Sequence, residues 1–257
     1  MRSIWIIAQN TFRESVRSKV LYSLMLFALL LVSISALFGS VTIGDQAKVV
    51  KDFGLFSLSI FCTFYVVLSG ALLLYKELSR KTIYNILSRA IPRWNFLFGK
   101  YLGMLLTATL MLLLMGGGFS LFLLLFESAF DPSLFLAYYA IFLELVIICA
   151  AAIFFSSVVV TPMLIGLFTA GIFLAGRSAG FLLYFLSNDT LSAPVRYLLQ
   201  VLYFVLPHLD MLNVSDAIVY GSLVPAEQIV YGTLYAFGYA GVLLFLSHFL
   251  FERRDFS

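Results

Sequence analysis

The sequence predicts an all-α integral membrane protein with six transmembrane helices. The chain is 62% hydrophobic and only 11% charged, whereas a soluble domain normally carries about 25% charged residues. Apolar runs longer than about 18 residues recur, and each can cross a ~30 Å hydrocarbon core as a helix. The runs lack the alternation of barrel strands, so helices are the structure that satisfies the backbone in lipid.

Residues 4–18 predict an amphipathic helix that lies on the membrane surface. On a helical wheel its two faces are separate, with Trp5, Ala8, Phe12 and Val16 on the apolar one and Asn10, Arg13, Glu14 and Arg17 on the polar one. No small-residue cleavage site follows the first apolar run, so we expect no removable signal peptide.

The six predicted spans form one membrane domain that covers residues 1–257. They are expected at 20–39, 53–75, 101–126, 134–156, 162–186 and 227–251. The longest connections are a basic segment at 76–100 and an outer segment at 187–226. Within the outer segment, Val195 to Leu206 is too short to span and is bounded by prolines, which predicts a re-entrant or interfacial helix.

The distribution of basic residues predicts the orientation of the chain in the membrane. Six crossings put both termini on one side, and that side holds twelve of the 16 Lys and Arg residues. Such an excess is typical of the cytoplasmic face. We therefore expect a multi-pass protein of the cell inner (plasma) membrane with both termini in the cytoplasm.

The sequence lacks three motifs that are typical of enzymes, and His208 and His248 have no plausible partners in sequence. A GxxxxGK[ST] phosphate loop, HExxH and GxSxG are all absent, and Cys62 and Cys149 lie apart in apolar runs without metal-ligand spacing. We expect no catalytic residue, no metal, no bound cofactor and no nucleic-acid partner. The chain itself should not hydrolyse ATP.

The basic segment 76–100 predicts a compact, rigid connection with a short helix between the second and third spans. Thr82 is placed to cap a short helix with an apolar edge, and Pro92 ends it. The alternative is an ordinary positively charged cytoplasmic loop.

This segment resembles the signature of ATP-binding-cassette (ABC) transporter type-2 permeases. The matching residues are Glu77, Thr82, Leu87, Pro92-Arg93 and Gly99-Lys100. Three further segments are similar to the branch associated with multi-copper-enzyme maturation, namely Thr11-Phe-Arg-Glu14 with Arg17, Pro207-His-Leu-Asp210 with Asn213, and Phe251-Glu-Arg-Arg-Asp-Phe256.

The resemblance implies the permease subunit of an ATP-driven exporter. Residues 1–19 would be its elbow helix, with Arg13, Glu14 and Arg17 as the charges. The loop at 76–100 would carry a coupling helix that docks on a separate ATPase through Glu77, Thr82, Arg89 and Arg93. The implied partners are two ABC ATPase subunits, which bind ATP and Mg²⁺, a second permease copy or a paralogue, the lipid bilayer, and an accessory protein in the outer space.

Two other function classes fit the same sequence. A force-transmitting membrane subunit would act on an outer partner without moving cargo. An ion-coupled secondary transporter would need ionisable groups and broken helices near the bilayer midplane in related halves. Only Glu144 and Arg177 approach that description, and no paired halves are visible.

Glu144 and Arg177 are predicted to form an intramembrane charge pair. An ionised carboxylate in mid-span costs at least ~2.5 kcal/mol unless it faces protein or water. Counted from the cytoplasmic ends of the fourth and fifth spans, the two residues lie ~18 and ~22 Å deep, nearly level. The pair either holds the two spans together or lines a cargo path. If the fifth span ends near Gly176, Arg177 would instead reach the outer headgroups.

Overall fold

A computed structural model describes residues 2–41, 46–79, 92–127, 131–186 and 192–252. Every regular element in these ranges is a helix. In chain order the α-helices are α1 (Arg2–Val16), α2 (Lys19–Val41), α3 (Gln46–Ser79), α4 (Arg93–Glu127), α5 (Leu134–Val158), α6 (Pro162–Arg177), α7 (Ala179–Leu186), α8 (Ala193–Val205), α9 (Ser215–Val219) and α10 (Ala226–Glu252). A single 3₁₀ turn, Asp210–Leu212, lies before α9.

Helix α5 is the centre of the bundle. Every residue from 143 to 153 is buried, as expected for a helix that is apolar on all sides. It packs against α3, α4, α6 and α10. Small residues permit this crowding: a Cβ added at Gly70 of α3 would lie 2.5 Å from the Cβ of Ala152.

The described residues contain four to seven candidate membrane spans, a range that includes the predicted six. Four described helices, α3, α4, α5 and α10, are long and apolar enough to cross a membrane. Up to seven spans result if each of three bent helix pairs counts as one. The exact number, and with it the position of α1 as an elbow, stays a prediction.

The predicted span 162–186 is not one straight helix. It consists of α6 and α7, which meet at a 55° bend. With 16 residues, α6 is about 24 Å long, which is shorter than the ~30 Å hydrocarbon core. Gly176, Arg177 and Ser178 interrupt the apolar run at this point, so the sequence left open that the span ends near Gly176, but it did not indicate a second helix at an angle to the first. The short outer helix predicted near 195–206 corresponds in position to α8.

Helix α1 lies against the beginning of α4 through two glycines. A Cβ at Gly99 would lie 2.8 Å from the Cβ of Ile7, and one at Gly103 would lie 2.7 Å from the carbonyl oxygen of Ala8. Glycines four residues apart on a helix allow close helix packing either between two chains or within one. Here Gly99 and Gly103 pack against a helix of the same chain.

We expect Gly103→Val to loosen α1 from α4. The added side chain meets the backbone of α1, which cannot move aside without displacing the helix, and overpacking of this kind costs about 1–3 kcal/mol. The thermal unfolding midpoint in detergent should fall, and α1 should become more sensitive to protease. Gly117→Val is the matched control on the same helix, because nothing lies within 4 Å of a Cβ there. Equal effects of both substitutions would contradict the expectation.

Candidate functional site

A buried charge network joins three helices. Glu144 on α5 accepts a hydrogen bond from the hydroxyl of Ser59 on α3, with an oxygen–oxygen distance of 2.8 Å. Arg177, the last residue of α6, donates from Nη1 to the same Ser59 oxygen at 2.6 Å. The Nη1 atom also lies 3.4 Å from Oε2 of Glu144. The structure thus brings the predicted pair together through a serine hydroxyl that contacts both charges.

The network is largely closed to solvent. Glu144 and Ser59 are each 2% exposed, while the Arg177 side chain is 22% exposed. The guanidinium also lies 5.8 Å from the centroid of the Phe173 ring one turn earlier, within the range of a cation–π contact. Arg177 is therefore the one member of the network that a solute from outside the bundle could reach.

The end of α6 sets the position of Arg177. The carbonyl oxygen of Gly176 accepts a hydrogen bond from the amide of Leu209 at 3.2 Å. A Cβ at Gly176 would lie only 2.6 Å from the carbonyl oxygen of Pro207, so the absence of a side chain allows the Pro207–Asp210 segment to close over the helix end. A cation in the last turn also interacts favourably with the helix dipole.

The Pro207–Asp210 segment is held on its other side by α8 and α10. The amide of His208 donates to the hydroxyl of Tyr235 at 2.8 Å, and the imidazole packs edge-on against Tyr203 with ring centroids 4.3 Å apart. Leu209 is fully buried beneath them. These contacts make the segment a plug over α6 rather than a free loop.

The predicted ATPase-coupling residues are placed only in part. Glu77 belongs to the last turns of α3, and Thr82 and Arg89 lie outside the described residues. Arg93 begins α4, and its Nη1 donates to the carbonyl oxygens of Phe251 at 2.7 Å and Glu252 at 3.0 Å. Arg93 thus caps the C-terminal end of α10, a contact that the sequence did not suggest.

The predicted elbow charges Arg13, Glu14 and Arg17 are all exposed. Arg13 and Glu14 lie on α1, and Arg17 lies in the turn directly after it. Sequence reasoning missed Ser59, because a single serine in an apolar run is common and carries no pattern of its own. Within the described ranges, no group of three or more His, Cys, Asp or Glu residues is arranged to hold a metal ion.

Comparison with known proteins gives a match over almost the whole chain. The family model described as "ABC-2 family transporter protein" matches residues 5–256. A search of curated proteins found no significant match.

Proposed function

Because the chain belongs to the ABC-2 family of transporter proteins, we propose that it is the permease subunit of an ATP-driven exporter. It would couple ATP hydrolysis by a separate ATPase subunit to movement of a substrate across the membrane. The family match over residues 5–256 carries this proposal. Members of the family are membrane components without ATPase activity of their own, and the chain contains no phosphate loop.

The lengths of α3 and α4 support an ATPase contact at residues 80–91. With 34 and 35 residues, the two helices are ~51 and ~53 Å long at 1.5 Å per residue, well beyond the ~30 Å hydrocarbon core. Since α1 packs at Gly99 and Gly103 and is expected at the membrane surface, the first turns of α4 lie beyond that surface. Residues 80–91, which connect the two helices, would then be presented to a partner.

The proposed assembly is a permease dimer with two ATPase subunits, and the termini and the 76–100 loop face the cytoplasm at the inner membrane. Gly99 and Gly103 already pack against α1, and Gly176 and Gly180 already pack against the Pro207–Asp210 plug. Because these glycines are covered within one chain, the dimer would use another surface. Membership of the copper-enzyme maturation branch and an outer accessory protein remain part of this proposal.

Co-purification followed by an ATPase assay tests the function. The purified chain should show no ATP hydrolysis, and it should retain an ATPase subunit when isolated from its own cells. The rate of ATP hydrolysis should differ between the free ATPase subunit and its complex with the permease. ATP turnover by the isolated chain, or purification without any ATPase, would contradict the proposal.

Charge reversal at Arg89 tests the coupling contact. We expect Arg89→Glu to remove the dependence of ATP hydrolysis on the permease, since a positive residue at the contact would become repulsive, while the unfolding midpoint stays unchanged. Arg93 is less suitable because reversal there also removes the two bonds to the end of α10. Lys48→Glu, at the other end of α3, is the matched control. Normal coupling in Arg89→Glu would reject this contact.

A further inference from the structure

A cavity of about 270 Å³ lies between α1 and the beginning of α4. Its polar wall contains two cationic side chains, Arg13 and Lys100, and two amide side chains, Gln9 and Asn10. No acidic side chain is among the described residues that line it. Two cations beside amide N–H donors form a site suited to an anion with several acceptor oxygens.

The two cations differ in their surroundings. Lys100 is only 4% exposed, and its ammonium lies 5.7 Å from the centroid of the Phe96 ring, so its position is set by packing. Arg13 is exposed on α1 and can follow a bound group. One cation is therefore held in place and the other is adjustable.

The other wall of the cavity is apolar and is formed by Ile6 and Phe96. Ile6 is 58% exposed, and its neighbour Trp5 is 60% exposed. Exposed Trp and Ile on an amphipathic helix are typical of insertion at the boundary between headgroups and acyl chains. The cavity thus joins a cationic wall to an apolar edge at the expected depth of a lipid headgroup.

We propose that this cavity binds the phosphate group of an anionic phospholipid, with Arg13 and Lys100 at the headgroup and Ile6 and Phe96 against the first part of an acyl chain. Basic pockets beside membrane helices on the cytoplasmic side are suited to such headgroups. A bound lipid would bridge α1 and α4 next to their glycine contact. The proposal depends on α1 lying at the membrane surface and not on ATP-driven transport.

Lipid titration of the purified full chain tests the site by native mass spectrometry in detergent. The probes are dioleoylphosphatidylglycerol and dioleoylphosphatidylcholine, which share acyl chains and differ in headgroup charge. We expect phosphatidylglycerol to bind more tightly. Arg13→Gln should lower its affinity about fivefold, the effect of one basic residue near an anionic lipid surface. Arg13→Lys should restore most of the loss.

Arg17→Gln is the matched control, because it removes the same charge from the turn directly after α1, and Arg17 is not among the residues that line the cavity. Lys100→Gln should lower the affinity for phosphatidylglycerol as Arg13→Gln does. This variant is informative only if its thermal unfolding midpoint equals that of the wild type. Equal binding of the two lipids, or an equal loss in Arg17→Gln, would overturn the proposal. Displacement of phosphatidylglycerol by millimolar inorganic phosphate would assign the site to free phosphate and overturn its assignment to lipid.

Discussion

Replacement of Glu144 by Ala is expected to destabilise the protein by about 3–5 kcal/mol, the usual cost of removing one partner from a buried ion pair. The substitution leaves the Arg177 guanidinium and the Ser59 hydroxyl without their shared acceptor, which is 2% exposed. Thermal unfolding in detergent measures the loss. Ser59→Ala should cost less, about 1 kcal/mol, because the two charges still face each other.

A double-mutant cycle separates the pair from simple loss of volume. Glu144→Met and Arg177→Met should each destabilise the protein, whereas the double substitution should be close to wild type, because apolar residues of similar volume often replace a buried pair without cost. Additive effects would show that the two residues act independently. An unchanged unfolding midpoint in Glu144→Ala would reject the network.

Exchange of the two charges distinguishes the structural role from a place in the cargo path. Glu144→Arg combined with Arg177→Glu should regain the stability that either single change loses. If the pair only joins the helices, permease-dependent ATP hydrolysis by the complex should return as well. If Arg177 contacts the cargo from its exposed side, stability should return without activity.

Gly176→Val is expected to produce the second large effect, near the upper end of the ~1–3 kcal/mol range for overpacking. The new Cβ would lie 2.6 Å from the carbonyl oxygen of Pro207 and 3.0 Å from Cγ of Leu209. A backbone carbonyl cannot change rotamer to avoid the clash, so the Pro207–Asp210 plug must move and the Leu209–Gly176 hydrogen bond must lengthen or break.

Gly171→Val on the same helix is its control, since a Cβ there has no neighbour within 4 Å. The displaced plug should also shift Arg177, so Gly176→Val and Glu144→Ala should be less than additive in unfolding experiments. Full additivity would show that the plug does not position Arg177. Equal unfolding midpoints for the two valine variants would contradict the role of Gly176.

The sequence by itself determined that the described chain is helical and suited to a membrane, because hydropathy and the need to satisfy the backbone in lipid act locally along each segment. It also indicated that Glu144 and Arg177 lie at matching depth, since helix rise converts residue number directly into distance. The structure places their charged atoms 3.4 Å apart.

Only the tertiary structure decided which partners meet. Ser59 joins the charge pair, Arg93 caps α10, Gly99 and Gly103 receive α1, and a bend divides the span predicted at 162–186. Each of these depends on how separate helices rotate and approach one another. Hydropathy does not encode that rotation, because lipid and protein neighbours of a helix are equally apolar. The contacts are selected by van der Waals fit and by a few hydrogen bonds.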